Sequence, residues 1–284
     1  MQKMGVVGAG LMGAEIALTF ALAGKSVVLV DRDQKILDRA LENLRLILEK
    51  GVARGFYQAE QTGPALSRIE TSNEIAACAD CDLVTEAVFE SLDVKSSVLA
   101  DLALHCKREC VIASNTSTIP ISTLAAQLAT DRRGIFLGTH YFSPVSRMKL
   151  VEVIPGFDSA SSTVDQVLAL MVEIGKTPIR VKDVAGFAVN RMVHMFIIEA
   201  VKLVEEGVAT PEDLDIACKL GLGHPIGPFQ LMDVTTSSLC VQAQEIMQEA
   251  YGERFRPPAL LKQRVRAGYV GGKGKPGWRS PPNG

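Results

Sequence analysis

The chain has 284 residues, which at roughly 150 residues per domain predicts two ordinary domains or one large one. Hydrophobic residues make up 47% of the sequence and charged residues 22%, and these values exclude disordered, collagen-like and coiled-coil classes. The 30 Lys and Arg nearly balance the 32 Asp and Glu, leaving a formal charge of −2, so nucleic acid is not an expected partner.

The first elements in the chain predict a β-α-β unit. Short apolar runs at 4–7 and 26–30 predict strands, and the segment 12–23 between them has the length of a helix. The apolar stretch 11–23 also resembles the core of a signal peptide, but Glu15 interrupts it and no A-x-A cleavage site follows. Six cysteines are too few for a disulfide-stapled secreted domain, so we expect a cytoplasmic protein with no membrane partner.

The next segments continue the alternation of helices and strands. Apolar residues at three- and four-residue spacing predict an amphipathic helix over 36–48, and a polar stretch at 53–62 ends it. Further short apolar runs predict strands at 82–85, 110–113, 135–139 and 149–154. This alternation is typical of a Rossmann-type, mostly parallel, doubly wound sheet of the α/β class.

The pattern becomes purely helical after Val181. A long apolar stripe at helical period runs from Val189 to Val204, and Thr210 with the following Pro and two acids predicts a helix start. The sequence therefore predicts a first domain at 1–183 and an all-α domain at 184–284. The Pro- and Gly-rich segment 273–284 is expected to be a loosely held tail.

A glycine pattern at the first strand-to-helix junction predicts a dinucleotide site. Gly8, Gly10 and Gly13, with Leu11 and Met12 between them, form G-x-G-x-x-G directly after a strand and at the start of a helix. Such glycines allow a tight turn, close approach of a pyrophosphate and tight helix packing. The alternative is a glycine-rich turn that binds nothing.

Asp31 ends the second strand, 18 residues after Gly13, where its carboxylate can accept hydrogen bonds from the adenosine ribose. A carboxylate there would repel a 2′-phosphate, so NAD is predicted over NADP, although Arg32 could weaken this preference. Glu15 lies about 200° of helix rotation from Gly13 and is expected to face away from the phosphates.

His140 is the predicted acid or base. It ends a strand at the carboxyl edge of the sheet, where open α/β sheets bind ligands, and Glu152 lies in the next predicted strand. A histidine held by a carboxylate is a general base with a defined tautomer. His105, His194 and His224 are expected to be surface, packing or loop residues.

Several segments together resemble the 3-hydroxyacyl-CoA dehydrogenase family, in the form of its 3-hydroxybutyryl-CoA dehydrogenase-like members. They are GAGLMG (8–13), VTEAVFESLDVK (84–95), ASNTSTIPI (113–121), GTHYFSPVSRMKLVEVI (138–154), GFAVNR (186–191), PEDLDIACKLGLGHPIGPF (211–229) and AGYVGGKGK (267–275). The resemblance implies a Rossmann-type domain, a helical domain for substrate closure and dimerisation, and NAD-dependent oxidation of an L-3-hydroxyacyl-CoA in fatty acid metabolism. It also implies a homodimer.

The resemblance also implies roles for individual residues. The family's base and its carboxylate partner match His140 and Glu152, and its substrate-positioning residues match Ser117 and Asn190. Its cofactor-binding positions also match Ala87, Glu90, Lys95 and Asn115. From the residues alone, Glu90 would be a surface acid, Lys95 a lysine on a helix face and Asn115 a turn residue.

Three departures from the family pattern are visible. Residues 140–144 read HYFSP where the family usually has HFFNP, and 233–238 lack the glycine and second acid of D-x-x-G-L-D. The usual glycine is replaced by Thr236, which predicts unusual backbone or subunit packing there. The C-terminal aromatic pattern is replaced by 276–278 and a Pro-rich tail.

Three alternatives remain at this stage. A cluster of cysteines, Cys78, Cys81, Cys106 and Cys110, allows a zinc hypothesis, but reduced core thiols are favoured and no metal is predicted. The reaction could belong to a dehydrogenase of free hydroxyacids or sugar acids, since a His–Glu pair serves either. A non-catalytic NAD-binding protein is the remaining alternative.

Overall fold

A computed structural model describes residues 1–279 of the chain. Its strands are β1 (Lys3–Val7), β2 (Ser26–Val30), β3 (Ile69–Ser72), β4 (Leu83–Glu86), β5 (Val111–Ser114), β6 (Phe136–Tyr141), β7 (Leu150–Pro155) and β8 (Thr177–Arg180). Its helices are α1 (Leu11–Leu22), α2 (Gln34–Ala53), α3 (Ala59–Ser67), α4 (Leu92–His105), α5 (Ile121–Ala125), α6 (Thr130–Arg133), α7 (Ser161–Glu173), α8 (Val189–Glu205), α9 (Pro211–Gly221), α10 (Pro228–Thr235), α11 (Ser237–Tyr251) and α12 (Ala259–Arg266). Within the described residues no helix combines the length and the apolar character that a membrane crossing requires.

All eight strands form one sheet in the order β3-β2-β1-β4-β5-β6-β7-β8. Neighbouring strands are parallel except β6 and β7, which are antiparallel. The strand order reverses between β1 and β4, and ligands of such sheets bind at this switch point, outside the carboxyl ends of the strands. The predicted Rossmann-type, mostly parallel sheet followed by a helical region is confirmed.

The sequence did not predict the strands β3 and β8. Both lie at the edges of the sheet, and β3 carries Glu70 and Thr71 while β8 is largely exposed. An edge strand need not be apolar on both faces, so the continuous apolar run that marks a buried parallel strand is missing.

The helix α1 is buried almost all round, with residues 13–21 inaccessible to solvent. It packs against β1 and β2 and is covered by α2 and α3. Glu15 lies inside this helix, and its exposure is only 4%. Its Oε2 accepts hydrogen bonds from the amide (2.9 Å) and hydroxyl (2.8 Å) of Ser146. The acid therefore ties α1 to the segment that joins β6 to β7.

The chain divides into two compact units, Met1–Val184 and Ala185–Gly284. The core of the helical unit includes Phe229 and Met232 of α10 together with Trp278, which is 4% exposed. The amide of Trp278 donates to Asp233 Oδ1 (2.8 Å) and its indole N–H to Ser237 Oγ (3.0 Å). The expectation of a loose tail is therefore wrong for 273–279, because a large aromatic side chain anchors it. The rest of that tail, 280–284, lies outside the described residues.

Thr236 separates α10 from α11 in a left-handed backbone conformation, with φ of +101°. Thr236 is the residue that stands in place of the glycine of the family pattern. A β-branched residue at positive φ is strained, because its Cβ crowds the neighbouring carbonyl. The chain thus breaks between α10 and α11 at a threonine, although glycine adopts positive φ with less strain.

Candidate active site

The glycine turn after β1 is shaped to admit a ligand. Gly8 has φ of +101°, and a Cβ on it would lie 2.6 Å from the carbonyl oxygen of Ala87. A Cβ on Gly13 would lie 1.8 Å from the carbonyl oxygen of Gly8, so α1 packs directly on the turn. At Gly10, in contrast, a Cβ would meet no atom within 4 Å. The side of the turn that faces a ligand is therefore open.

Asp31 holds this turn from the end of β2. Its Oδ2 accepts a hydrogen bond from the amide of Ala9 (2.9 Å), and its Oδ1 accepts one from the amide of Asp33 (3.2 Å). The first turn of α1 contains no acid, and Leu11 in it is 69% exposed while Met12 packs on the core. The amino end of α1 has no side-chain cap, so its amides and its positive dipole end fit the pyrophosphate of NAD. The carboxylate of Asp31, one strand away, fits the adenosine ribose.

His140 and Glu152 face each other across the antiparallel strands β6 and β7, where they are direct register partners. The Nδ1 of His140 lies 2.8 Å from Oε2 of Glu152. Their exposures are 7% and 0%, so the pair is shielded from bulk solvent. The ring of His140 also packs edge-on to Phe142, with centroids 4.7 Å apart. A carboxylate at Nδ1 favours the tautomer with its proton on Nδ1, which leaves the lone pair on Nε2.

Ser117 lies in a loop after β5 that one carboxylate holds in place. Oε1 of Glu90 accepts hydrogen bonds from the amides of Ser117 and Thr118, both at 2.8 Å. The hydroxyls of Thr116 (2.7 Å) and Thr118 (2.8 Å) donate to the same oxygen. The structure thus brings Glu90 and Ser117 together, and it shows that Glu90 is more than a surface acid.

Lys95 lies on helix α4, as the residues alone predicted, and its side chain is only 1% exposed. Its ammonium lies 2.8 Å from Oε1 of Glu86 and 3.3 Å from Oε2 of Glu90. Sequence reasoning did not single out Glu86, the last residue of β4. An acid at the end of an otherwise apolar parallel strand, with a lysine nine residues later, is the signal that could have found it.

The other predicted site residues lie in two places. Asn115 follows β5, and its Oδ1 accepts a hydrogen bond from the amide of Tyr141 (3.0 Å), which fixes the end of β6 next to His140. Asn190 is the second residue of α8 in the helical unit and is half-buried.

The cysteines considered for zinc are all buried, and all six cysteines of the chain are free thiols. The Sγ of Cys106 lies 3.5 Å from the carbonyl oxygen of Cys78. Within residues 1–279 no group of three or more His, Cys, Asp or Glu side chains is arranged to hold a metal ion.

A switch-point glycine turn, an acid at the end of β2 and a His–Glu pair at one sheet edge are typical of NAD(P)-dependent dehydrogenases with a Rossmann-type domain. Comparisons with known proteins specify the family. The family profile described as "3-hydroxyacyl-CoA dehydrogenase, NAD binding domain" matches residues 3–184, and the profile of its C-terminal domain matches 186–280.

Individual relatives agree with these profiles. A protein named "Probable 3-hydroxybutyryl-CoA dehydrogenase" from Deinococcus radiodurans is 38% identical over 280 residues, covering 97% of this chain and 99% of its own. The 3-hydroxybutyryl-CoA dehydrogenase of Bradyrhizobium diazoefficiens is 37% identical over 279 residues, covering 98% of this chain and 94% of its own. The crystal structure of (S)-3-hydroxybutyryl-CoA dehydrogenase from Ralstonia eutropha matches with a TM-score of 0.93 at 34% identity, over 99% of this chain and 100% of that chain.

The chain belongs to the 3-hydroxyacyl-CoA dehydrogenase family. It is an NAD-dependent oxidoreductase that acts on the CH–OH group of 3-hydroxyacyl-CoA, and the predicted cofactor and enzyme class are confirmed.

Proposed function

We propose that the substrate is a short-chain L-3-hydroxyacyl-CoA of the 3-hydroxybutyryl type, oxidised reversibly to the 3-ketoacyl-CoA. The names of the relatives support the short acyl chain, since 3-hydroxybutyryl-CoA dehydrogenases cover nearly the whole length of this chain. The 2.8 Å contact between His140 and Glu152 carries the chemical part of the proposal.

His140 is the general base of the proposed mechanism. Its Nε2 takes the proton of the 3-hydroxyl, and the resulting imidazolium is stabilised by the adjacent carboxylate of Glu152. NAD, when bound, would supply the acceptor for the hydride that leaves C3. Because both side chains are buried, the charge that develops on the ring is attracted by Glu152 with little screening by water.

Ser117 and Asn190 are proposed to hold the substrate oxygens. Ser117 is suited to this because Glu90 fixes its amide, so the loop is ordered before substrate arrives. Asp31, the glycine turn at 8–13, Ala87, Glu90, Lys95 and Asn115 are proposed as the cofactor-binding residues. Asn190 would be supplied by the helical domain, proposed over 184–284, which follows the NAD-binding domain at 1–183.

The helical domain is also proposed to form a homodimer. Several of its large apolar side chains are more than half exposed: Met192, Val208, Leu220, Leu222, Val234 and Leu239. A second copy of the chain is a partner that could cover these side chains. The proposed enzyme works in the cytoplasm, binding neither nucleic acid nor membrane.

The deciding experiment is an activity panel followed by NADH absorbance. The purified protein would be supplied with NADH and with 3-ketoacyl-CoA substrates of short, long and aryl type, and with the corresponding free 3-keto acids. We expect the short thioesters to give the highest kcat/KM. Comparable kcat/KM for the free acids would contradict the thioester assignment, and a preference for long chains would contradict the acyl length.

A further inference from the structure

Three charged side chains form a buried cluster at the end of β4. Glu86 is fully buried and Lys95 is 1% exposed, and the side chain of Glu90 is 28% exposed. The ammonium of Lys95 joins the two carboxylates, at 2.8 Å from Glu86 and 3.3 Å from Glu90. The cluster therefore contains two acids and one base.

Both acids pair with the Lys95 ammonium. The Glu86 carboxylate also contacts the amide of Val88 (2.8 Å) and the hydroxyl of Ser114 (2.6 Å). Burial alone would raise the pKa of Glu90, but the Lys95 ammonium and the hydroxyls of two threonines outweigh it and bring the pKa to about 2. The cluster thus carries a net charge of −1.

The topology puts this cluster under the nicotinamide half of the cofactor. The dinucleotide crosses the switch point between β1 and β4, with its adenosine at Asp31 on the β2 side. Its other half must then lie over β4, β5 and β6, between the Gly8 turn and His140. Ala87, which follows Glu86 directly, touches the turn at Gly8. The nicotinamide ring therefore lies close to the cluster, in surroundings where charge is poorly screened.

The two forms of the cofactor differ by one charge at the nicotinamide ring, which is positive in NAD⁺ and neutral in NADH. A net negative cluster attracts the positive ring of NAD⁺ and has little effect on the affinity for the neutral ring of NADH. We propose that Glu86 sets the relative affinity of the site for NAD⁺ and NADH, by giving the buried cluster its net negative charge. Glu86 holds Lys95 in place, and its negative charge acts on the nicotinamide ring at a distance. It is therefore a positioning residue and does not touch the cofactor. This inference rests on the proposed placement of the cofactor.

The first test is Glu86→Gln, measured as the ratio of the dissociation constants for NADH and NAD⁺. The amide keeps the shape: its oxygen can accept from Lys95 and Val88, and its NH₂ can donate to the Ser114 hydroxyl, which can also accept. The cluster charge changes from −1 to 0, so Kd(NADH)/Kd(NAD⁺) should fall by about three- to tenfold. Calorimetric titration with each cofactor measures the ratio without turnover.

A matched control removes the same charge elsewhere. Glu173, at the end of α7, is 53% exposed and pairs with Lys25, which also donates to the carbonyl of Met1 (2.8 Å). This pair is near the amino end of β1, at the opposite edge of the sheet from Glu86. Glu173→Gln should therefore leave the Kd ratio at its wild-type value.

Lys95→Gln and the double variant Glu86→Gln with Lys95→Gln separate charge from shape. Lys95→Gln makes the cluster more negative, so the ratio should rise above wild type, although both affinities weaken. The double variant has the wild-type charge of −1 and should recover the wild-type ratio. A purely structural role for Glu86 predicts no such recovery.

The proposal is overturned if the ratio stays unchanged in Glu86→Gln and in Lys95→Gln, or if the double variant fails to restore it. Should Glu86→Gln not fold, Lys95→Gln alone still decides the question, because a ratio that does not rise above wild type overturns the proposal. Failure of the proposed cofactor placement would look different, because Asp31→Ala would then leave the affinities for both cofactors unchanged.

Discussion

At the scale of single residues, the His140 ring is the proposed general base of the reaction. We expect His140→Gln to lower kcat by roughly 10²- to 10⁴-fold, the range for loss of a general base. The affinity for NAD should change little, because the proposed cofactor-binding residues lie outside β6. Steady-state kinetics together with calorimetric NAD binding tests both statements.

Glu152→Gln is the companion to this variant. The amide can still hydrogen-bond to Nδ1, but it no longer stabilises a positive ring, so kcat should also fall. Retention of more than half of the wild-type kcat in His140→Gln would remove the residue from the mechanism. A silent Glu152→Gln would reduce that acid to a structural partner of the ring.

Asp31 has two roles in the structure, since it holds the amide of Ala9 and faces the proposed ribose position. Asp31→Ala should weaken NAD binding by about 1–3 kcal/mol, the cost of losing charge-assisted hydrogen bonds. The wild-type enzyme should prefer NAD over NADP because this carboxylate repels a 2′-phosphate. Equal kcat/KM for the two cofactors in the wild type would refute the role given to Asp31.

His194 gives the protein a pH-dependent stability. Burial lowers its pKa to about 4, and its Nδ1 has no hydrogen-bond partner within residues 1–279. The unfolded chain, with an ordinary pKa of about 6.5, therefore binds an extra proton between pH ~6.5 and ~4. Stability is lost as the pH falls through this window, by about 1–2 kcal/mol at pH 5 relative to pH 7.

The variant His194→Met tests this sign. Methionine fits a buried helix position and does not titrate, so this variant should lose less stability than the wild type between pH 7 and pH 5. Urea unfolding followed by circular dichroism at both pH values gives the comparison. Equal losses in the two proteins would mean that His194 does not contribute to the acid sensitivity.

At the scale of elements, the junction between α10 and α11 is strained at Thr236. Thr236→Gly should stabilise the protein by about 0.5–1.5 kcal/mol, because relief of positive φ outweighs the entropy that glycine adds to the unfolded chain. The neighbouring Thr235 is the matched control, since it ends α10 in helical conformation. Thr235→Gly should destabilise instead. A lower melting temperature for Thr236→Gly would contradict the strain argument.

The elements that could be predicted from sequence are those that depend on residues close together along the chain. The glycine turn, α1, β2 and the paired strands of His140 and Glu152 follow from apolar periodicity and from steric needs visible in the residues. The edge strand β8 has a weak apolar pattern and depends on pairing with β7. The acid at the end of an apolar strand marks Glu86 in the sequence, but its burial against Lys95 depends on packing between β4 and α4, which residue spacing does not show.

Glu15 is an instructive example. Its place on α1 was predictable to within one residue, but its partner Ser146 lies 131 residues away along the chain. Helix rotation in the sequence does not reveal that the segment joining β6 to β7 covers this side chain. A hydrogen bond between residues so far apart in the chain can be predicted only once the topology of the fold is known.

At the scale of the whole molecule, association is the property to be measured. The exposed apolar residues of the helical unit should be covered by a second copy, so we expect a homodimer of twice 30.5 kDa. Sedimentation equilibrium at micromolar concentration measures the mass directly. A single species near 30.5 kDa would rule out the dimer.

The position of Trp278 has a consequence for spectroscopy. It is the only tryptophan of the chain, and it is buried in the helical unit, 4.9 Å from the ring of Phe229 and beneath the guanidinium of Arg264 at 4.5 Å. Its emission therefore reports on that unit alone. Opening of the helical unit should shift the fluorescence maximum to longer wavelength, whereas melting confined to residues 1–184 should leave it in place. The chain thus contains an intrinsic fluorescent reporter that distinguishes the unfolding of its two compact units.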